Sequence, residues 1–336
     1  MNRIFSILLL FALSPVGAYP EERISIEQLS EAVPGAGPAA APAAVPFRLK
    51  SQGADLTAAY KTLYADPGGS GDAAIFEKLK NYKVLFVPGF LAEASINPIP
   101  LPWGGQRKGK YFDEQMDWLK SIGVDYQRIE MEYEAPIRVN ARVVAAAISA
   151  SVKPVVIIAH SKGGLDSLAA LITDSALAAK VRGIVTFQTP YYGSPVADYV
   201  IMHRLLGDLA GALLFSMGGT KAAMVNLGTA ERDEYLKKNA SAIAGITALV
   251  PVLTLATWKD REPGKFDIAL KPLRDMMLED GIKSDGVVPV DSAVLPGADF
   301  VKLGGLDHSV TVRASRTIPL DRIKLTKALL MMVLSR

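Results

Sequence analysis

Residues 154–171, PVVIIAHSKGGLDSLAAL, constrain the fold more than any other stretch of the chain. An apolar run rich in Val and Ile leads to Ser161, and a segment with helical spacing follows two glycines. A strand that is apolar on both faces is typical of a parallel sheet covered by helices on both sides. The stretch therefore predicts a buried strand that turns into a helix at a serine.

Similar short apolar runs recur along the chain and alternate with segments of helical spacing. The predicted strands are residues 83–87, 155–159, 183–187, 252–257 and 299–303, and the helical segments include residues 111–122, 138–151 and 165–174. This alternation predicts an α/β fold with a mostly parallel sheet and helices on both faces.

One stretch, residues 196–250, departs from the alternation and predicts helix after helix, with an apolar section at 205–217. We interpret it as a helical insertion above the sheet. Such an insertion can be ordinary packing, which is the commoner case, or a mobile cap over a site.

The N-terminal part has the features of an export signal. Arg3 precedes an apolar stretch at 4–13, and Pro15 and small residues follow it. A membrane-spanning helix needs about 20 apolar residues, roughly twice the length of this stretch. We expect a signal peptide at 1–18, an N-terminal arm at 19–71 with an Ala/Pro-rich linker at 33–46, and one α/β domain at 72–336. The predicted location is secreted or periplasmic.

Composition excludes several classes of function. The 336 residues include no Cys and only three His, and the net charge of +3 is spread without a Lys or Arg run. Thiol catalysis and thiolate metal sites are therefore excluded, and nothing indicates binding to nucleic acid. We expect no cofactor and no metal.

The pentapeptide Ala159-His160-Ser161-Lys162-Gly163 has the pattern small-x-Ser-x-small at the predicted turn from strand to helix. The small residues are needed because strand and helix pass close together there. The turn exposes the Ser161 hydroxyl and places the Lys162 N–H at a helix N-terminus, where it can bind an oxyanion. We expect the Lys162 side chain at the mouth of the site. The alternative is a serine that only caps a helix.

A catalytic serine needs a base, and His308 is the prediction by position and elimination. It follows the last predicted strand in a glycine-containing loop. His160, beside the serine, and His203, in the helical insertion, are interpreted as structural.

The base in turn needs a carboxylate. Asp285, in the turn SDGVVP at 284–289, gives the chain order Ser, Asp, His. Asp291 is the second choice and Asp307 the third.

A second oxyanion donor is expected after an early strand, and the stretch KVLFVPGF at 83–90 offers the Phe90 N–H. An ordinary turn at the end of a strand explains the same residues equally well.

Together, AHSKGG at 159–164, TPYYGSPVAD at 189–198, SDGVVP at 284–289 and LDH at 306–308 resemble the α/β-hydrolase superfamily, in particular bacterial secreted lipases and esterases. The resemblance implies an α/β-hydrolase fold, a Ser161, Asp285 and His308 triad, an oxyanion hole of the Phe90 and Lys162 N–H groups, and a lid at about 196–250. Pro88 departs from the His usual in these lipases. Some relatives bind calcium, but the sequence has no acidic cluster spaced for it.

The expected function is hydrolysis of carboxylic esters through an acyl-enzyme, as in a triacylglycerol lipase or a carboxylesterase. The expected partner is a small ester or a lipid substrate, with contact to a lipid–water interface. The alternatives are an acyltransferase with the same triad and a non-catalytic secreted binding domain.

Overall fold

The computed structural model describes residues 53–65, 71–90, 92, 99–100, 106–107, 111–202, 221–261, 271–315 and 318–336. The predicted signal peptide, the Ala/Pro-rich linker and the apolar section at 205–217 lie outside the described residues. Among the helices described, none is long and apolar enough to cross a membrane.

A six-stranded parallel sheet in the order β4-β1-β5-β6-β7-β8 forms the centre of the molecule, and β2 and β3 form a separate antiparallel pair. The strands are β1 (Lys83–Val87), β2 (Ile99–Pro100), β3 (Gln106–Arg107), β4 (Asp125–Arg128), β5 (Val155–His160), β6 (Val181–Phe187), β7 (Val252–Trp258) and β8 (Asp299–Gly304).

Helices connect the strands and form the outer layers. They are α1 (Thr57–Ala65), α2 (Asp72–Leu79), α3 (Asp113–Ser121), α4 (Ile137–Ala150), α5 (Lys162–Thr173), α6 (Pro195–Met202), α7 (Lys221–Val225), α8 (Thr229–Lys238), α9 (Ala240–Leu249), α10 (Lys271–Glu279) and α11 (Arg322–Leu334), with 3₁₀ turns at Ser175–Lys180 and Val290–Ala293.

The core consists of two apolar layers, one on each face of the sheet. Every residue of β5 is buried, and its side chains alternate between the layers. Val156 and Ile158 pack with residues of α2, α3 and α11, whereas Val155 and Ile157 pack with residues of α4, α5 and α9. The predicted mostly parallel sheet with helices on both faces is therefore confirmed.

All five predicted strands are present within two residues of their predicted bounds. The sequence did not predict β4, which pairs with β1 at the edge of the sheet. Its four residues are exposed or half-buried, so it has no apolar run that would mark it.

The described part of the helical insertion packs against the sheet domain. Leu236 of α8 and both Ile243 and Ile246 of α9 are buried in the same layer as Leu165 and Leu168 of α5. Helices α8 and α9 thus belong to the outer layer of the fold. A lid stays a prediction for the insertion.

Candidate active site

Ser161 occupies the turn between β5 and α5 with a backbone that is unusual for a residue other than glycine. Its φ is 53° and its ψ is −129°, outside the regions that side chains with a Cβ normally adopt. The Ser161 N–H donates to the Phe187 carbonyl at 2.8 Å, and the Ser161 carbonyl accepts from the Gly164 N–H at 3.0 Å. Neighbouring backbone groups on both sides therefore hold the strained turn in place.

Gly163 is required by the close passage of α5 over the end of β1. A Cβ at this position would collide with the carbonyl oxygens of Val87 and Pro88. Gly89 is equally confined, because a Cβ there would lie 2.7 Å from the Ser161 Cβ. The loop after β1 therefore passes directly beside the serine.

The structure brings Ser161, His308 and Asp285 into one hydrogen-bonded line. The His308 Nε2 lies 3.0 Å from the Ser161 Oγ, and the His308 Nδ1 lies 2.8 Å from the Asp285 Oδ2. The carboxylate can only accept, so we assign the ring proton to Nδ1 and the lone pair to Nε2. That tautomer can receive the Ser161 proton.

Asp285 is buried, and backbone groups fix its carboxylate. Its Oδ1 accepts from the N–H groups of Val287 at 2.9 Å and Val288 at 2.7 Å, which leaves Oδ2 for His308. The other two predicted acids are engaged elsewhere. Asp291 pairs with Lys302 at 3.1 Å, and Asp307 accepts from the N–H groups that follow it in its own loop.

The predicted oxyanion donors flank the serine. Lys162 is the first residue of α5, so its N–H has no carbonyl one turn earlier in the helix to donate to. Phe90 follows Gly89 in the loop that lies against Ser161. Both N–H groups thus belong to segments in contact with the serine.

The Lys162 side chain does not lie at the mouth of the site, and this expectation was wrong. It is fully buried, and its Nζ lies 3.0 Å from each carboxylate oxygen of Asp166, four residues further along α5. Burial raises the pKa of Asp166 to about 6, although Lys162 and the Asn140 amide oppose the shift. The spacing of four residues on a helix was the signal in the sequence for this pair.

His160 is buried and hydrogen-bonded at both ring nitrogens. Its ring is buried between the Tyr111 hydroxyl and the His308 carbonyl. Burial, helped by the neighbouring His308, holds the pKa of His160 well below its ordinary value. The sequence did not predict the hydrogen bond between Tyr111 and His160, because the two residues are distant in the sequence and come together only in the folded protein. His203 lies outside the described residues.

Two residues of the motif at 189–198, Gly193 and Ser194, hold the segment around Asp285 in place through hydrogen bonds. The Ser194 hydroxyl donates to the Val287 carbonyl at 2.6 Å, and the Ser292 hydroxyl donates to the Gly193 carbonyl at 2.6 Å. These bonds join the turn after β6 to the segment that holds Asp285.

Gln188 forms hydrogen bonds that hold the loop of His308 in place, and the sequence did not predict this role. It has a φ of 54° and is fully buried. Its Nε2 donates to the Asp307 carbonyl at 2.8 Å, and its Oε1 accepts from the Thr311 hydroxyl at 2.7 Å. An amide that ends a strand carries no sequence signal for this function.

Within the described residues, no group of three or more His, Cys, Asp or Glu side chains is arranged to hold a metal ion.

The fold is similar to those of solved esterases and lipases. A metagenomic carboxyl esterase shares 21% sequence identity, 75% of each chain is covered, and the TM-score is 0.61. The mature form of a Bacillus licheniformis lipase shares 23% identity over 76% of this chain and 92% of that chain, with a TM-score of 0.56. No protein-family model matches the sequence, and no curated protein matches it significantly.

The parallel six-stranded sheet, the serine turn after β5 and these structural likenesses identify the α/β-hydrolase fold. In this fold, loops at the carboxyl ends of the strands form the site. Ser161 and His308 lie in such loops, since they follow β5 and β8. Asp285 follows α10, and its neighbour Ser284 accepts from the N–H of Lys259 at the end of β7.

Proposed function

We propose that the protein hydrolyses carboxylic esters through an acyl-enzyme formed on Ser161. The observation that carries the proposal is the line of two hydrogen bonds, 3.0 and 2.8 Å long, from Ser161 through His308 to Asp285. A serine hydroxyl is a weak nucleophile at neutral pH and becomes effective when an oriented base takes its proton. A serine that only caps a helix does not require a hydrogen-bonded histidine and a buried carboxylate beyond it.

In the proposed reaction, the Ser161 Oγ attacks the ester carbonyl carbon while its proton passes to the His308 Nε2. Asp285 stabilises the resulting imidazolium, and the N–H groups of Lys162 and Phe90 bind the tetrahedral oxyanion. The bond to the alcohol then breaks, and the alcohol leaves with the proton from Nε2. Water repeats the sequence on the acyl-enzyme and releases the carboxylic acid and the free serine.

Carboxylic esters are the proposed substrate class because the structural neighbours with TM-scores above 0.5 are named as a carboxyl esterase and a lipase. We further propose a lipid-like acyl chain. Its support is the apolar section at 205–217 in the sequence, which lies outside the described residues. Rates on p-nitrophenyl esters from acetate to palmitate measure this preference, and a maximum at the short end contradicts it.

The role of the apolar section has its own experiment. Polar substitutions of Leu213 and Leu214 are expected to lower activity on long-chain ester emulsions more than activity on a short soluble ester. Equal losses on both substrates contradict a lid and indicate a packing role.

The proposed activity is tested with purified Ser161→Ala on p-nitrophenyl butyrate. Hydrolysis is expected to fall by at least about 10³-fold, because the nucleophile is lost while the fold is kept. Ser121→Ala is the matched control, since its hydroxyl only donates to the Trp118 carbonyl at the end of α3. Equal rates for Ser161→Ala and the parent protein contradict the proposal.

We also propose that the protein is exported, with cleavage after residue 18, on the support of the N-terminal sequence. The intact mass of the chain recovered outside the cytoplasm tests this. A mass that retains residues 1–18 contradicts it.

A further inference from the structure

A buried chain of hydrogen bonds joins the loop after β1 to the loop of His308. The Gly89 N–H donates to the Tyr111 hydroxyl at 3.0 Å, and this hydroxyl lies 2.6 Å from the His160 Nδ1. On the far side of the ring, the His160 Nε2 lies 2.8 Å from the His308 carbonyl oxygen. Tyr111 and His160 are 5% and 3% exposed, so water does not compete effectively for these groups.

The hydrogen-bonding partners determine which ring nitrogen of His160 carries the proton and to which atom the Tyr111 hydroxyl donates. A carbonyl oxygen can only accept, so the His160 Nε2 carries the proton and donates to His308. The His160 Nδ1 is then an acceptor, and the Tyr111 hydroxyl must donate to it. The same hydroxyl accepts from Gly89 with a lone pair. All three bonds are therefore compatible with a single neutral tautomer of His160.

The two ends of this chain of hydrogen bonds lie at the two proposed catalytic elements, the oxyanion donor and the base. Gly89 precedes Phe90, whose N–H is a proposed oxyanion donor, and it lies against Ser161. The other end is the backbone of His308, the proposed base. The His160 and His308 rings also pack against each other, with centroids 4.7 Å apart. These three hydrogen bonds, from Gly89 through Tyr111 and His160 to His308, which we call the relay, therefore connect the loop that precedes Phe90 to the loop that carries His308.

Packing alone does not require a polar chain at this place. Phe112, next to Tyr111, is fully buried and packs against Phe86 and Phe187 without any polar group. A hydroxyl and an imidazole in the same layer each need a partner, because an unpaired buried polar group destabilises the fold. Here the partners are the backbone groups whose positions the reaction depends on.

We propose that Tyr111 and His160 are positioning residues that fix the Phe90 N–H and the His308 ring relative to Ser161. This inference rests on the proposed ester hydrolysis. Both side chains are buried. Their effect is geometric, and displacement of a reacting group by about 1 Å costs on the order of 100-fold in rate.

The test is Tyr111→Phe, which removes one oxygen atom and leaves both the Gly89 N–H and the His160 Nδ1 without a partner. We expect kcat on p-nitrophenyl butyrate to fall roughly 10- to 100-fold with KM within about twofold, because the lost alignment affects the transition state. Inhibition by an alkylboronic acid, whose tetrahedral adduct occupies the oxyanion hole, is expected to weaken by the same factor as kcat/KM.

Tyr191→Phe is the matched control. Tyr191 is also buried, and its hydroxyl donates to the Thr186 hydroxyl at 3.1 Å, outside the relay. This variant is expected to keep kcat and boronate affinity within about twofold. If the loss of any buried hydroxyl hydrogen bond had this effect, kcat and boronate affinity would fall to a similar extent in both variants.

A spectroscopic measurement tests the relay without any turnover. In the parent protein, ring ¹⁵N shifts of His160 are expected to report a protonated Nε2 and a hydrogen-bonded, unprotonated Nδ1. In Tyr111→Phe the Nδ1 shift is expected to move to that of a free ring nitrogen. Should Tyr111→Phe fail to fold, His160→Gln replaces it in the kinetic and boronate measurements, since its amide N–H can still reach the His308 carbonyl while the acceptor for Tyr111 is lost.

The outcomes separate the two proposals. Unchanged kcat and unchanged boronate affinity in Tyr111→Phe overturn the positioning role, even when Ser161→Ala abolishes hydrolysis. A parent protein without ester hydrolysis overturns the proposed function. The ¹⁵N shifts and boronate binding then still decide the relay, and an Nδ1-protonated His160 contradicts it.

Discussion

Asp285 and His308 contact each other through both side chain and backbone. The carboxylate Oδ2 lies 2.8 Å from the ring Nδ1, and the Asp285 carbonyl accepts from the His308 N–H at 3.0 Å. The backbone bond holds the two loops together independently of the carboxylate. Loss of the negative charge can therefore be tested in a site that keeps its shape.

Asp285→Asn is predicted to lower kcat by roughly 10⁴-fold, because it imposes the wrong histidine tautomer. The N–H groups of Val287 and Val288 need an acceptor, so the amide oxygen faces them and the NH₂ group faces His308. The ring Nδ1 must then accept, which places the ring proton on Nε2, where it blocks the serine. Steady-state kinetics on p-nitrophenyl butyrate measure the loss.

Asp291→Asn is the control for Asp285→Asn. It removes a partly exposed ion pair with Lys302 that does not reach the His308 ring, so activity is expected to stay within about twofold. Similar losses in both variants would mean that Asp285 is not the carboxylate that orients the base.

Gly163→Ala is predicted to lower the free energy of unfolding by at least about 2 kcal/mol, because the new Cβ meets two backbone carbonyls that cannot rotate away. Gly245→Ala is the contrast. Gly245 is exposed on α9 with open space around it, so alanine is expected to stabilise the helix by up to about 1 kcal/mol. Urea denaturation measures both, and a neutral Gly163→Ala contradicts the close passage of α5 over β1.

Lys162→Met is predicted to destabilise the fold by about 3–5 kcal/mol, because it leaves the Asp166 carboxylate buried without its cation. The double variant Lys162→Met and Asp166→Leu removes both charges and is expected to recover most of this loss. Urea denaturation at pH 7.5 measures the cycle. A double variant as unstable as Lys162→Met alone would show that the cost lies in packing and not in the unpaired charge.

The same pair predicts a pH dependence of stability. The pKa of Asp166 is about 6 in the folded chain, whereas its ordinary value, expected in the unfolded chain, is 3.8. The folded chain therefore binds the Asp166 proton more tightly than the unfolded chain. Lowering the pH from about 7 towards 4 is therefore expected to stabilise the parent protein relative to the double variant without both charges. A relative loss of stability over this range contradicts the direction of the shift.

Residues with a local signature were predictable from the sequence. The strand, the small residues and the glycine of the serine turn all follow from local geometry. Chain order and position led to Asp285 and His308 as the predicted partners of Ser161, and the structure brings the three side chains within hydrogen-bonding distance. Strand β4 was not predictable, because an edge strand with half-exposed side chains lacks the apolar run by which the other strands are recognised.

Partners distant along the chain were also beyond sequence reasoning. The hydrogen bond between Tyr111 and His160 and the one between Gln188 and the His308 loop both join residues that are distant in the sequence and come together only in the folded protein. Helix α3 begins later than predicted, at Asp113, because Phe112 has a φ of 64°. The turn there places Tyr111 outside the helix, and periodicity does not reveal such a turn.

Phosphonylation of Ser161 tests its nucleophilic role most directly. The parent protein, treated with a p-nitrophenyl alkylphosphonate, is expected to release one p-nitrophenol per chain, lose its esterase activity, and carry the adduct on the peptide that contains Ser161. His308→Ala is expected to react far more slowly, because the serine keeps its proton. An adduct on another residue that abolishes activity, or full activity with Ser161 labelled, would contradict the account.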